Sequence, residues 1–211
     1  LEVFHGNPHA GNQAITMAWP HLSHSDRNVR YAARLAIENQ PVSLWQERVL
    51  REEDQRALIH ASIALCRHGD PSLSHRILKK LNQIPFDSLA AEDQLALLRA
   101  YSLCFIRLGQ PAPALINVVI GNLDPFFPAD DEQVNTELCR VLSYLDAPLV
   151  VKKTISLMKT TETRTLDYDK EMLSRHEYGK EILKTMANTP NSQNIQYAYS
   201  LRRVQNGWTL A

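Results

Sequence analysis

Residues 26–37 read Asp26-Arg27-Asn28-Val29-Arg30-Tyr31-Ala32-Ala33-Arg34-Leu35-Ala36-Ile37, and this segment determines the class of fold. Its apolar residues recur three and four positions apart, which is the spacing of one face of an α-helix. Ser25 and Asp26 stand at its start, where a side-chain oxygen can accept a hydrogen bond from a free helix amide. Asn39-Gln40-Pro41 follows the segment, and a proline disfavours helical geometry in the residue before it. The segment therefore predicts an amphipathic helix that ends before Pro41.

The same arrangement of a helix, a proline break and a second helix recurs along the chain. The breaks contain Pro41, Pro71, Pro111 and Pro148, so they lie 30, 40 and 37 residues apart. The further helices expected around these breaks are Val42 to about Arg51, Ala57–Arg67, Leu73–Leu81, Leu95–Leu108, Leu115–Ile120, Asp131–Leu145 and Val150–Met158. A single helical hairpin cannot bury its apolar face, so hairpins repeated at this interval stack on one another. The sequence predicts an all-α fold, a right-handed α-solenoid of stacked antiparallel helix pairs (HEAT/armadillo-like) with four or five units.

We expect residues 1–211 to form one repeat domain. The best repeats fall within 25–160, and less regular helices occupy 161–211. We expect one of these helices around Tyr178–Met186, a stop near Pro190, and another helix from Gln193 to about Val204. Leu95–Leu108 has little polar face and is expected to be the most buried helix. The prolines of Asn122–Pro128 prevent a continuous helix there, and the polar stretch from Thr160 to Asp169 is expected to include a loop.

Charge and composition exclude several classes of protein. The chain has 23 basic and 23 acidic residues, and this zero net charge argues against a dedicated binder of nucleic acid or of anionic membranes. Three cysteines without a Cys-x-x-Cys pair argue against a disulfide framework and a cysteine-based zinc site. No apolar run is long enough to cross a bilayer. The chain starts at Leu1 and residues 1–20 lack a signal-peptide pattern, so we expect a segment of a longer protein.

The candidate binding residues lie near the C-terminus. Aromatic and basic residues alternate there, which is a pattern that can hold a peptide or single-stranded nucleic acid by stacking. The low net charge favours a protein partner over a nucleic acid. Tyr197, Leu201 and Val204 share one helical face and are expected to pack internally. The residues that remain for a partner are Tyr199, Arg202, Arg203 and Trp208.

The other reactive side chains have a structural interpretation. His5 and His9 are four residues apart, but Gly6 and Pro8 interrupt a helix between them, and the HExxH metal pattern is absent. His60 falls in an apolar helix and is expected to be packed. The three cysteines stand among Leu and Ala and are expected to be small core residues: Cys66, Cys104 and Cys139. We therefore predict no catalytic residues, no metal site and no cofactor.

Two resemblances add to this reading. Residues 26–36, with an acid, Val-Arg, paired alanines and a leucine, resemble a HEAT repeat of the short bacterial type. Gly69-Asp70-Pro71-Ser72-Leu73 is similar to the hinge between the two helices of such repeats. HEAT repeats serve scaffolds, adaptors and a few enzymes, so this resemblance implies a fold more than a function.

A narrower resemblance is to the helical segment of large multidomain proteins from planctomycete-type bacteria, described as membrane-bound dehydrogenase-like or haem-binding. The matching strings are Ala18-Trp19-Pro20, Asp26-Arg27, Arg30–Arg34, Trp45, Leu108-Gly109, Leu123-Asp124-Pro125, Phe127-Pro128, Tyr197-Ala198, Leu201-Arg202 and Gly207-Trp208-Thr209. The resemblance implies a periplasmic or other extracytoplasmic setting. The Cys-x-x-Cys-His haem attachment is absent from 1–211, so any redox chemistry of the parent protein is expected in other domains.

These observations predict a non-catalytic scaffold or protein-interaction module of a larger bacterial protein, which contacts a protein or an adjacent domain of the same chain. The alternative is a groove that binds a small molecule or nucleic acid, as in some HEAT-like enzymes.

Overall fold

The computed structural model describes residues 1–160, 170–188 and 191–209, and this part of the chain is helical throughout and has no β-strand. The α-helices are α1 Gly11–Ala18, α2 Arg27–Glu38, α3 Gln46–Arg51, α4 Gln55–His68, α5 Ser74–Leu81, α6 Ala91–Leu108, α7 Pro113–Leu123, α8 Glu132–Tyr144, α9 Val150–Thr160, α10 Lys170–Ser174, α11 Glu177–Asn188 and α12 Ser192–Leu201. Short 3₁₀ turns lie at Glu2–Phe4, Trp19–Ser23, Val42–Leu44, Pro71–Leu73, Phe86–Ser88 and Asp124–Phe126. The all-α prediction is confirmed.

Aspartate side chains begin several of the helices. Asp26 Oδ1 accepts from the Asn28 amide at 2.6 Å at the start of α2, and Asp54 Oδ1 accepts from the Ala57 amide at 2.8 Å at the start of α4. Asp131 caps α8 in the same way. These bonds satisfy amides that have no partner within the helix, which explains why the helices begin where the sequence places an acid.

The helices pack in two rows. In one row α2 contacts α4, α4 contacts α6, α6 contacts α8, and α8 contacts α12. In the other row α3 contacts α5, and α5 contacts α7. Contacts between α3 and α4, α4 and α5, α5 and α6, and α7 and α8 join the rows around one continuous apolar core.

The prediction that Leu95–Leu108 is the most buried helix is wrong, because α4 is more buried than α6. In α4 every residue from Ala57 to Cys66 is buried, whereas in α6 Ile106 is 71% exposed and Arg99 is also exposed. α4 is more buried than α6 because the Trp19–Ser23 turn, from the N-terminal part of the chain, packs on both α2 and α4. This turn does not cover α6 in the same way.

Two expected boundaries also differ. The helix predicted for Val42 to Arg51 is divided into a 3₁₀ turn and the short α3, because Trp45 leaves helical geometry and buries its ring, donating from Nε1 to the Gln40 carbonyl at 3.1 Å. The last helix ends at Leu201 rather than near Val204. The loop expected between Thr160 and Asp169 falls almost entirely outside the described residues, and so does the stop expected at Pro190.

Candidate functional site

The C-terminal residues predicted to bind a partner lie on and after the last turn of α12. We call Tyr199, Arg202, Arg203 and Trp208 the aromatic–basic end. Tyr199 is 62% exposed, and the Arg202 guanidinium lies over its ring with Cζ 3.6 Å from the ring centroid. Arg203 is exposed beside them. This contact places a cation on an aromatic face at the surface, an arrangement that holds both side chains in one orientation.

Trp208 reaches the surface through a separate turn that is fixed to the α8–α9 connection. The Asp146 carboxylate accepts from the amides of Gln205 and Asn206 at 3.0 and 3.1 Å. Gly207 has φ +83°, and a Cβ built at this position would lie 2.8 Å from the Pro148 carbonyl oxygen, so only glycine fits. Trp208 then donates from Nε1 to the Val204 carbonyl at 2.9 Å and stays 54% exposed.

The neighbouring residues with an expected structural role are buried. Tyr197, Leu201 and Val204 are all in the core, which confirms the division of this segment into a packed face and an exposed one. Burial raises the pKa of Tyr197, and its hydroxyl lies 3.0 Å from Gln193 Nε2. The packed face anchors the aromatic–basic end, and the exposed face offers two guanidinium groups and two aromatic rings for stacking and for hydrogen bonds to carboxylates or carbonyls.

A second polar feature crosses the first row of helices, and we call it the charged seam. Its members are basic and acidic side chains and one histidine, and they come from three successive helices of that row: Arg30, Arg34 and Glu38 of α2, Arg56, His60 and Arg67 of α4, and Glu92 and Asp93 of α6.

Ion pairs hold the charged seam together. The buried Glu38 carboxylate lies 3.3 Å from Arg34 Nε in its own helix and 3.0 Å from Arg67 Nη1 in α4. Arg56 donates to both oxygens of Asp93, from Nε at 2.9 Å and from Nη2 at 2.5 Å, and this pairing raises the pKa of Arg56. Two adjacent helices are therefore tied at each junction by a charge-assisted contact.

Arg30 makes the longest connection. Its guanidinium is almost fully buried, donates to the carbonyls of His24 and Ser25 at 2.7 and 2.8 Å, and pairs with Glu92 of α6. This contact joins α2 directly to α6, which is the next helix but one in the row.

His60 lies within the charged seam, and neither of its ring nitrogens has a hydrogen-bond partner among the residues that the structure describes. It is 9% exposed, and burial, followed by the positive charges of Arg30 and Arg34, lowers its pKa to about 4. The imidazole is therefore neutral at pH 7. The prediction that His60 is packed is confirmed. The charged seam was not predicted from the sequence. The pattern that could have revealed it is the four-residue spacing of Arg30, Arg34 and Glu38 beside the apolar face of α2.

Two concave regions lie on the surface, and the larger one shares Arg56 and Asp93 with the charged seam. An open groove of about 670 Å³ at the N-terminal ends of α4 and α6 is lined by Ser23, Glu53, Asp54, Gln55, Arg56, Ser88, Leu89, Ala90 and Asp93. A smaller, mainly apolar cleft of about 350 Å³ is lined by Pro128, Leu149, Lys152, Lys153, Ser156, Leu157 and Thr160. The larger groove carries three carboxylates against one guanidinium, which disfavours a polyanion.

The other candidate residues have structural partners. His5 Nε2 lies 2.9 Å from the Ala32 carbonyl, and residues 5–10 form turns rather than a helix that would align His5 with His9. Cys66, Cys104 and Cys139 are free thiols buried in the core, as expected. Within the residues that the structure describes, no group of three His, Cys, Asp or Glu side chains is placed to hold a metal ion.

None of the described helices is both long and apolar enough to cross a membrane. Comparison with protein-family models, with curated proteins and with solved structures finds no match to this chain.

Proposed function

We propose that this chain is a non-catalytic scaffold built as a HEAT-like α-solenoid, a segment of a larger bacterial multidomain protein with an extracytoplasmic setting. One observation carries the proposal. Polar ties recur between positions 29 residues apart: Glu38 with Arg67, Glu47 with Arg76, and Asp124 with Lys153. The Arg56–Asp93 tie has a longer separation of 37 residues. Ties that recur at an interval of about one helix pair are expected when each pair contacts the next one.

The order of packing supports the same arrangement. α2, α4, α6 and α8 contact one another in succession, and α3, α5 and α7 do so in a second row. Each unit thus contacts mainly the unit before it and the unit after it, as in a solenoid.

A scaffold of this kind works by fixing the distance between the domains attached to it. Arg76 binds Glu47 through two parallel bonds of 2.8 Å between α5 and α3, and the charged seam binds α2, α4 and α6 on the other row. Paired guanidinium–carboxylate contacts fix orientation as well as separation. Ties on both rows resist bending, so attached domains are held apart at a set spacing.

The proposed contact with a partner, a protein or an adjacent domain of the same chain, is the aromatic–basic end. It combines exposed aromatic rings with two arginines, the residue types that dominate binding energy at protein interfaces. Its position on the last helix of the first row suits a junction with a neighbouring domain.

The test is site-specific photocrosslinking of the full-length protein in its native cells. A benzoylphenylalanine at position 199 or 208 is expected to form one discrete crosslinked species, and the double change Arg202→Ala with Arg203→Ala should reduce its yield at least several-fold. Position 31 is the matched control, because Tyr31 is 52% exposed and also lies beside an arginine, with Arg34 Cζ 5.2 Å from its ring. Equal crosslinking at 31 and 199, or turnover by the purified chain, would contradict the proposal.

The second candidate function is a binding groove, which the 670 Å³ groove favours. Its three carboxylates suit a small cationic molecule. Calorimetric titration with spermidine should then detect binding that Glu53→Gln weakens, since Glu53 is exposed and lies in the groove. Binding of single-stranded DNA with a strong salt dependence would instead support the nucleic-acid version of this function.

A further inference from the structure

Two of the three cysteines are brought together although 38 residues separate them in the sequence. Cys66 lies near the end of α4 and Cys104 near the end of α6, and these helices share the most extensive contact among the described elements. The Cys66 thiol points at the Ala100 carbonyl, 3.9 Å away, one helical turn before Cys104. The two thiols therefore face each other across the α4–α6 contact, and each shifts the pKa of the other.

The two thiols differ in their readiness to ionise. The interaction with Cys104 and burial raise the pKa of the Cys66 thiol. Cys104 interacts with the Cys66 thiol and lies 3.7 Å from the Ser74 hydroxyl, and these contacts lower its pKa. Ser74 is half-buried, so the Cys104 sulfur is fully buried but contacts a residue that reaches the surface. Cys104 is therefore placed to react first and Cys66 to react second.

We propose that Cys66 and Cys104 form an intramolecular disulfide when the protein meets hydrogen peroxide, and that this bond joins α4 to α6. The Cys104 thiolate attacks one peroxide oxygen, the O–O bond breaks, and hydroxide leaves and takes up the thiol proton as water, which gives a sulfenic acid on Cys104. The Cys66 sulfur then attacks the Cys104 sulfur, the S–O bond breaks, and a second water leaves. The net reaction consumes two thiols and one peroxide and yields one disulfide and two waters.

Burial of the two sulfurs limits the size of the oxidant that can reach them. Both sulfurs are in the core, so a bulky disulfide reagent is excluded. A small peroxide molecule can approach past Ser74, which contacts the Cys104 sulfur. Cys139 is also buried, but its sulfur contacts the hydroxyls of Ser143 and Thr154 at 3.9 and 3.5 Å and has no second cysteine beside it among the described residues. The third cysteine is therefore an internal control for the pairing.

The experiment is peroxide treatment of the folded chain, followed by denaturation, alkylation of the remaining thiols and peptide mapping by mass spectrometry. The expected product has one Cys66–Cys104 disulfide with Cys139 alkylated. Its melting temperature should rise on the order of 10 °C, because the bond closes a loop of about forty residues in the unfolded chain, and reduction should reverse the shift. Cys139→Ala should keep the shift, and Cys104→Ala should abolish it.

A further variant separates the two steps. In Cys66→Ala the second sulfur is missing, so Cys104 should accumulate as a sulfenic acid that dimedone traps, with no change in melting temperature. If Cys66→Ala does not fold, Cys66→Ser is used in its place, and the peptide map of the unaltered chain decides the proposal in either case. A disulfide that includes Cys139, or Cys66 and Cys104 both remaining alkylatable after peroxide, would overturn it.

Discussion

At the scale of single residues, His60 shows how the charged seam couples to pH. Among the described residues its two ring nitrogens have no hydrogen-bond partner, and Arg30, Arg34 and Arg56 lower its pKa against the opposing effect of Asp93. A proton on this imidazole would be buried among guanidinium groups, so the folded protein favours the neutral form. The folded pKa of about 4 lies below the value of about 6.5 expected in the unfolded chain.

This difference predicts acid destabilisation. Because the folded pKa is the lower one, the contribution to stability is present above about pH 6.5 and is lost as the pH falls toward about 4. The free energy of unfolding should fall between pH 7 and pH 4.5, and we expect this fall to be about 2 kcal/mol smaller in His60→Leu than in the unaltered chain. Urea unfolding at the two pH values measures this loss. His75→Leu, at an exposed histidine, should leave it unchanged; an equal loss in His60→Leu and the unaltered chain would contradict the prediction.

Glu38 is the carboxylate on which the junction between α2 and α4 depends. Its side chain is buried and lies within ion-pair distance of Arg34 and Arg67, and Arg34 is itself largely buried. Burial lowers the pKa of Arg34 while Glu38 raises it, so the carboxylate offsets the cost of burying this cation.

We therefore expect Glu38→Gln to lower the free energy of unfolding by about 2 kcal/mol, since it leaves a buried guanidinium without its counter-charge. Chemical denaturation at pH 7 measures the change. Glu137→Gln is the control: Glu137 pairs with Arg140 at 2.6 Å on the surface, where such pairs contribute little. Similar effects of the two substitutions would show that burial of the pair is not what matters.

At the scale of helices, much could be predicted from the sequence because the signals are local. Helix periodicity and proline breaks place α2, α4, α6, α8 and α9 within a few residues. The errors occur where a tertiary contact decides the outcome. Trp45 interrupts a helix to bury its indole, and α4 is covered by a turn whose position no periodicity reveals. The aromatic–basic end was predicted from its composition, but the turn that positions Trp208 depends on Asp146, which lies 62 residues earlier in the chain.

The start of α6 lacks the side-chain cap that α2, α4, α8 and α12 have. α6 begins after Ala90, which has the extended geometry of a cap residue, φ −64° and ψ 155°, but no side-chain oxygen. Ala90→Ser should supply a hydrogen bond to the first turn and raise the free energy of unfolding by about 0.5–1 kcal/mol. Ala91→Ser is the control, because residue 91 already lies in the helix and cannot cap it. Thermal or urea unfolding compares the two, and equal effects would contradict the capping argument.

At the scale of the whole molecule, the sequence predicts repeated helix pairs, yet it could not reveal how the pairs are joined. The ties between positions 29 residues apart involve Glu, Arg, Asp and Lys side chains that look like ordinary surface charges in the sequence. They become recognisable only when two helices bring them within hydrogen-bond distance. An array joined in this way has mainly neighbour-to-neighbour contacts, so a local perturbation should stay local.

Hydrogen exchange tests this property. Leu142 is fully buried in α8, and Leu142→Ala should remove about 2–4 kcal/mol of local stability. If the helices form a linear array, amide exchange should accelerate in α8 and in the helices that it contacts, α6, α7, α9 and α12, while the amides of α2 and α4 keep their protection. In a closed bundle with a single cooperative core, every helix would lose protection together. Mass-spectrometric exchange on the altered and unaltered chains distinguishes the two. The matched substitution Leu58→Ala in α4 should give the mirror result, with the loss confined to α4 and the helices that it contacts, α2, α3, α5 and α6, and with α8 and α12 left protected. A uniform loss in either variant would rule out the solenoid, because it would require contacts that pass beyond the nearest unit.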